Sequence, residues 1–376
     1  MGYMAGAVTV LYNGMPVVIG ALANERHLPA AQLGEFSAAA YLGQLCAVGS
    51  AFFWIHRADW RATLRWCALG AIAACAVMAY ARAPWLLIAS SWAAGASMGA
   101  GVALTLSYWG SARNAPRTIS SGNLSMVLAA AVFLYAVPTI FTPHLGMRGG
   151  PLFMILLLLP LFPLSRLIPA RAADPSSVRK PSGNSAAALA GLILMGIYFF
   201  GIFAVWSFFE RIGSAQGLDP HVIGVALSSA MLVGALVLVF TTILGERLGL
   251  LPLAASFVLW VAFFMLLLRP ESPALFVITV LTFNLAWNLG MPYQIAIVAR
   301  ADVSGRLLVL MPAFQATGAA GGPWLAGQFV GNGQFTFAYV LLAIGVAISS
   351  AGYGVLAWIG HMARPTQART VSATND

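Results

Sequence analysis

Apolar residues in this chain come in long unbroken stretches separated by short polar gaps. Twelve such stretches stand at roughly 5–22, 34–55, 64–81, 85–108, 119–141, 151–169, 187–209, 222–244, 250–268, 274–298, 307–330 and 336–360. A helix rises about 1.5 Å per residue, so about 20 apolar residues cross the hydrocarbon core of a bilayer. A membrane barrel would instead show segments of about ten residues with alternating polarity. The pattern here has no period of two and predicts an all-α membrane protein of twelve transmembrane helices. The third stretch is short and begins beside Arg61 and Arg65. The first lacks a basic start, carries Asn13 and Pro16, and has no small-residue cleavage site, so it reads as a span and not a cleaved signal.

Composition agrees with lipid as the solvent. The chain is 60% hydrophobic and 8% charged, with a mean hydropathy of +0.87. Soluble domains carry about 25% charged residues. With the N-terminus in the cytoplasm, the cytoplasmic gaps hold 14 of the 19 basic residues and the outer gaps hold 5. The positive-inside rule then puts both termini in the cytoplasm, which for a bacterial chain means a multi-pass protein of the inner membrane. The ten acids divide evenly, so the net charge of +9 lies on the cytoplasmic side. A basic pI near 9.9 therefore reflects topology and not nucleic-acid binding. Cys46, Cys67 and Cys75 all fall within apolar stretches, and no CxxC or Cys/His cluster occurs. No metal, cofactor or disulfide frame is expected.

The longest polar stretch, Ser165–Ser185, is rich in Ser, Pro and basic residues and reads as a linker. Six spans precede it and six follow. The expected organisation is a six-helix bundle over 1–165, a cytoplasmic linker at 166–186, a second bundle over 187–360 and a cytoplasmic tail at 361–376. The halves echo each other at an offset near 190: Leu33-Gly34 matches Ile223-Gly224, Leu42 matches Leu232, and His56-Arg57 matches Glu246-Arg247. At 189, Arg117 matches Arg306. Internal duplication is a hallmark of secondary transporters, whose substrate sites lie between the repeats near the bilayer midplane.

With this 6+6 layout the chain resembles the major facilitator superfamily over nearly its full length. Gly245-Glu246-Arg247-Leu248-Gly249 is similar to a shortened form of that family's G-x-x-x-(D/E)-R-x-G loop. The N-terminal copy, Gly49 through Arg61, is degenerate, with His56 where the acid is expected. Asp302-Val303-Ser304-Gly305-Arg306 with Gly318 through Gly327 resembles the tenth-to-eleventh helix region of bacterial members. The resemblance implies two bundles with pseudo-two-fold symmetry that rock around a central site. Spans one, four, seven and ten would line the cavity, and spans three, six, nine and twelve would face lipid. It also implies a cytoplasmic gate, for which Arg57, Arg61, Arg117, Glu246, Arg247, Asp302 and Arg306 are the candidates.

Polar residues in the cavity-type spans supply the candidate substrate site. Asn284, Trp287, Asn288 and Met291 stand at i, i+3, i+4 and i+7 on one stripe of the tenth span, where carboxamides and an indole can orient a ligand. Interhelical hydrogen bonding is the plainer role for such asparagines. Pro292 just beyond is expected to break this helix. The seventh span carries Tyr198 and an aromatic stripe of Phe199, Phe203 and Trp206 leading to Glu210. Glu210 beside Arg211 reads either as a surface ion pair or as the site of proton coupling. Tyr12, Asn13 and Pro16 make a polar break in the first span. Tyr41, Gln44, Asn123 and Gln315 are secondary candidates.

No Arg, Lys, His, Asp or Glu lies deep within any well-defined span. A fixed anion site at the midplane would call for Arg or Lys, and intramembrane chemistry would need acid, base or nucleophile clusters. The expectation is a monomeric secondary active transporter, not an enzyme, for a small neutral or zwitterionic, fairly apolar solute. Alternating access would move it, with protons as the candidate coupling ion. An uncoupled facilitator and a multidrug efflux pump are the alternatives, and a membrane-embedded enzyme or receptor fits less well.

Overall fold

The computed structural model describes residues 2–111, 115–170, 185–244, 249, 251–268, 272–302, 307, 310–330 and 334–362. Among them the chain is helical throughout, with no strand element. The first span is two helices, Gly2–Asn13 and Met15–Arg26, that meet at Gly14 with a bend of 44°. The second, third and fourth spans are Ala30–Trp54, Trp60–Tyr80 and Pro84–Ser111. The fifth runs from Ala115–Ala136 through one π turn at Val137–Phe141. The sixth is Gly149–Leu158 with Leu161–Leu164. The seventh is Ser185–Trp206 continued by Phe209–Ala215. The remaining spans are Pro220–Leu244, Leu251–Leu267, Pro273–Ala301, Met311–Phe329 and Thr336–Met362. These are the twelve spans expected, and the protein is a multi-pass membrane protein with an all-α fold.

Three local features depart from the apolar pattern. The third span starts at Trp60, ahead of its apolar run, because the Asp59 carboxylate caps it, accepting from the backbone N–H of Arg61 at 2.8 Å and Ala62 at 3.1 Å. Arg61 and Arg65 thus lie inside the helix, where they reach the end of the sixth span. The fifth and sixth spans turn back on each other at Gly146, whose φ of +59° suits glycine. The expected break at Pro292 does not occur, and the tenth span is continuous from Pro273 to Ala301. Proline removes one N–H, and close neighbouring helices can keep the rest of the ladder in place.

Within each half, glycines let helices touch backbone to backbone. A Cβ on Gly95 of the fourth span would collide with the carbonyl of Ala40 in the second. One on Gly318 or Gly322 of the eleventh would collide with the carbonyls of Gly196 or Phe200 in the seventh. The third, sixth, ninth and twelfth spans present large apolar side chains outward, among them Trp66, Leu156, Val258 and Ile344, as lipid-facing helices must.

Among the described residues, two helix pairs with glycine contacts are part of the seam between the halves. Gly34 of the second span packs on Pro323 and Gly327 of the eleventh. Gly224 of the eighth faces Pro138 and Leu134 of the fifth, at 3.0 and 3.4 Å from the position of a Cβ. Gly34 and Gly224 are the repeat-equivalent glycines of the 190-residue offset. Both pairs sit near the end opposite the chain termini.

Candidate functional site

The bend of the first span places Tyr12 at the middle of the molecule. Pro16, four residues on, has no N–H to offer the Tyr12 carbonyl, so that oxygen has no helical partner. Tyr41 of the second span fills the gap, its hydroxyl donating to Tyr12 O at 2.9 Å. The Tyr12 hydroxyl in turn donates to the Gly95 carbonyl of the fourth span. The two tyrosine rings are 5.7 Å apart. Tyr41 then meets Phe203 of the seventh span edge-on at 5.0 Å, a contact that crosses from one half to the other. Phe203 stacks on Phe199 at 5.7 Å, and Trp287 of the tenth span is edge-on to both, at 5.6 and 6.0 Å.

The predicted residues divide around this aromatic line. Asn13 is half-buried, and its side chain makes no hydrogen bond to any described residue. Trp287 turns to the seventh span, while Asn288 turns to the eighth, its Nδ2 2.7 Å from where a Cβ on Gly234 would be. Asn288 also donates to the Asn284 carbonyl at 2.9 Å and is half-buried. Asn284 is fully buried, and its Oδ1 and the Trp287 Nε1 have no partner among the described residues. Such orphans call for a water or a ligand. Tyr198 lies apart from the centre. Its hydroxyl accepts from Trp260 Nε1 of the ninth span at 3.3 Å, inside the C-terminal half. Trp206 is wholly buried among Phe209, Phe283 and Trp287 and acts as packing.

Glu210 is not at the surface. It is 7% exposed and lies between the halves, its carboxylate pressed against Gly20 of the first span. Oε1 accepts from Ser214 at 2.8 Å and from Asn24 Nδ2 at 3.4 Å, and Oε2 is buried without a partner among the described residues. The Arg211 guanidinium, the ion-pair partner expected from sequence, is directed to Asn24 Oδ1 at 3.2 Å instead. Nearby, the hydroxyls of Ser37 and Ser207 join the second and seventh spans at 3.1 Å.

Of the gate candidates, Arg57, Arg61 and Asp302 are described with their side chains. Arg57 is exposed. Arg61 donates to the Ile168 carbonyl at 2.8 Å, which ties the third span to the chain just beyond the sixth and does not reach the other half. Asp302 is buried at the end of the tenth span. Glu246, Arg247 and Arg306 lie outside the described residues, as does the side chain of Arg117. A crevice of about 140 Å³ in the C-terminal half, lined by Phe209, Gln216, Ser272, Phe276 and Tyr339, includes none of the predicted site residues. The aromatic line, which crosses from one half to the other at Tyr41 and Phe203, is the better candidate site.

Sequence reasoning ranked Tyr41 second and passed over Gly20, Asn24, Ser37 and Ser207. The repeat offset held a signal for two of them: Gly20 is 190 residues before Glu210, and Asn24 is 190 before Ser214. The residues that surround Glu210 are therefore its own repeat partner and a repeat-related pair.

No protein-family model and no curated protein sequence matches the chain. Solved structures do match by shape. A partially occluded, inward-open structure of the xylose transporter XylE from E. coli gives a TM-score of 0.73 at 10% identity, covering 93% of this chain and 97% of that one. A D-xylose-proton symporter gives 0.73 at 13% identity, covering 93% and 95%. The nucleoside transporter NupG gives 0.68 at 12% identity, covering 96% and 97%. The chain therefore has the major-facilitator-type fold of two six-helix bundles.

Proposed function

We propose that this protein is a secondary active transporter of a small neutral or zwitterionic, largely apolar organic solute, and not an enzyme. The observation that carries the reading is the placement of the contacts between the halves. The second–eleventh, fifth–eighth and first–seventh pairs close one end around Gly34, Gly224 and Glu210, beside a central aromatic line. Two bundles packed on each other at one end can rock about that contact, which is how alternating access works. The comparison structures, titled as transporters of xylose and of nucleosides, support a small organic solute. The rings around Trp287 suit a less polar one, stacked on Phe203 and Trp287, with the unpartnered Trp287 Nε1 and Asn284 Oδ1 and the carboxamides of Asn13 and Asn288 as its polar contacts.

The bundles are assigned to 1–165 and 187–360, joined by a cytoplasmic linker at 166–186 and followed by a cytoplasmic tail at 361–376. With the basic loops inside, the closed end faces out and the protein sits as a monomer in a bacterial inner membrane. Glu210 is the candidate proton carrier, and the arginines and acids of the inner loops are the candidate gate. The test is a melting-point screen of the purified protein against a library of neutral solutes, followed by flux of each hit into proteoliposomes. Bound solutes raise the melting point by mass action. Asn288→Ala is expected to abolish uptake while leaving the amount of folded protein unchanged. Folded wild-type protein that moves no solute from the library would overturn the reading.

A further inference from the structure

Glu210 sits in a position that suits one of its two protonation states. Its carboxyl fills the hole left by Gly20 across the pseudo-two-fold axis, and a Cβ there would overlap both the carboxyl carbon and Oε2. Oε1 has two donors, Ser214 and Asn24, whereas Oε2 is buried with none among the described residues. An ionised carboxylate spreads its charge over both oxygens and needs donors at each, and a buried, unsolvated one is costly. A neutral carboxyl needs less: Oε1, as its carbonyl oxygen, keeps the two donors, and a proton on Oε2 removes the cost of a buried charge.

The surrounding charges do not remove this preference. Arg211, on the same helix, is the charged group whose field reaches Glu210, and its guanidinium is spent on Asn24 Oδ1. On the first span, Glu25 accepts from the Met147 backbone N–H and Arg26 donates to Ala81 O at 3.1 Å. Beyond the seventh span, Asp219 accepts from the His221 backbone N–H at 2.7 Å, and the His221 ring lies against Tyr135. Glu35 on the second span is half-buried.

We infer that Glu210 is a proton-operated latch: the end opposite the chain termini closes around the neutral carboxyl in its Gly20 socket, and ionisation releases it. This deepens the proton-coupling part of the proposed function by assigning the bound proton to one conformation. Proton binding that favours the closed state must, by linkage, favour closure as pH falls. One proton changes the closed-to-open ratio by at most about tenfold per pH unit, within the window between the titrations of the two states.

The test uses the full chain in lipid nanodiscs, with spin labels at Pro29→Cys and Ala215→Cys in a Cys46→Ser background, so that the label pair spans the two halves at the closed end. Distances are measured at about pH 5 and about pH 9, on either side of neutrality and above the ordinary carboxyl range. The labelled parent protein is expected to show mainly the short distance at the lower pH and a growing long-distance population at the higher. Glu210→Gln, which is neutral at every pH, should stay short at both. Gly20→Ala should stay long at both, and adding Glu210→Ala should restore the short distance without pH dependence. A pH-insensitive parent, or a Glu210→Gln variant that follows the parent, overturns the latch. Should Gly20→Ala fail to fold, the Glu210→Gln arm still decides. No solute is present, so constant distances alongside pH-dependent flux would sink the latch and leave transport standing, and shifting distances without flux would do the reverse.

Discussion

The two halves meet the centre of the molecule with different chemistry. On the N-terminal side, Tyr12 and Tyr41 are tied by hydrogen bonds to Gly95 O and Tyr12 O. On the C-terminal side, Phe199, Phe203, Trp206 and Trp287 hold one another by ring contacts of 5.6 to 6.2 Å. The repeat aligns these same regions: at an offset of 190, Tyr12 falls on Ile202, Asn13 on Phe203 and Pro16 on Trp206. Duplication therefore accounts for where the helices run, while the side chains have diverged into a directional wall and a packed one. Hydrogen bonds fix a position and leave little slack, whereas edge and stacked ring contacts tolerate sliding. The packed wall is thus the better fitted to adjust around a solute, with the bonded wall as its reference.

The comparison makes its largest claim at Trp206. Replacing this wholly buried ring with Ala removes its contacts to Phe209, Phe283 and Trp287. The expected cost is about 3–5 kcal/mol, measured by unfolding in mixed micelles. A cost no greater than that of losing one tyrosine hydroxyl would remove the distinction between the walls. A smaller effect is expected from Gly95→Val. Its side chain would run into the Ala40 carbonyl, which is backbone and cannot swing aside, and would disturb the acceptor of the Tyr12 hydroxyl. Overpacking of this kind costs about 1–3 kcal/mol in the same assay.

The helices and their pairing into halves were legible in the sequence because lipid demands apolar runs and duplication leaves an offset. The site was legible in part. A stripe on the tenth span identifies a face, but successive residues are turned by about 100°. Trp287 and Asn288 accordingly reach two different neighbours, and which neighbours they are is a tertiary fact. Glu210 could be read as a surface ion pair because burial between halves depends on a side chain that is missing, that of Gly20. Pro292 looked like a break because the backbone ladder around a proline is held by neighbouring helices that local sequence does not name. Arg61 reads as part of a gate between halves, whereas its acceptor, Ile168 O, lies 107 residues away where the chain leaves the sixth span.

The smallest effect tests the bonded wall most directly. Tyr41→Phe keeps the ring and its 5.0 Å contact with Phe203 and removes only the hydroxyl that reaches Tyr12 O. A single hydrogen bond of this kind contributes about 0.5–1.5 kcal/mol. The acceptor here is a carbonyl that Pro16 has deprived of its helical donor, so the loss depends on the proline. In a Pro16→Ala background the new N–H can take Tyr12 O, and Tyr41→Phe should then cost less than in the parent. The two substitutions are in one small network, and their costs should not add. A double-mutant cycle by unfolding measures the difference. Strictly additive costs would mean that the bend at Gly14, and not the Tyr41 hydroxyl, is what holds the N-terminal wall in place.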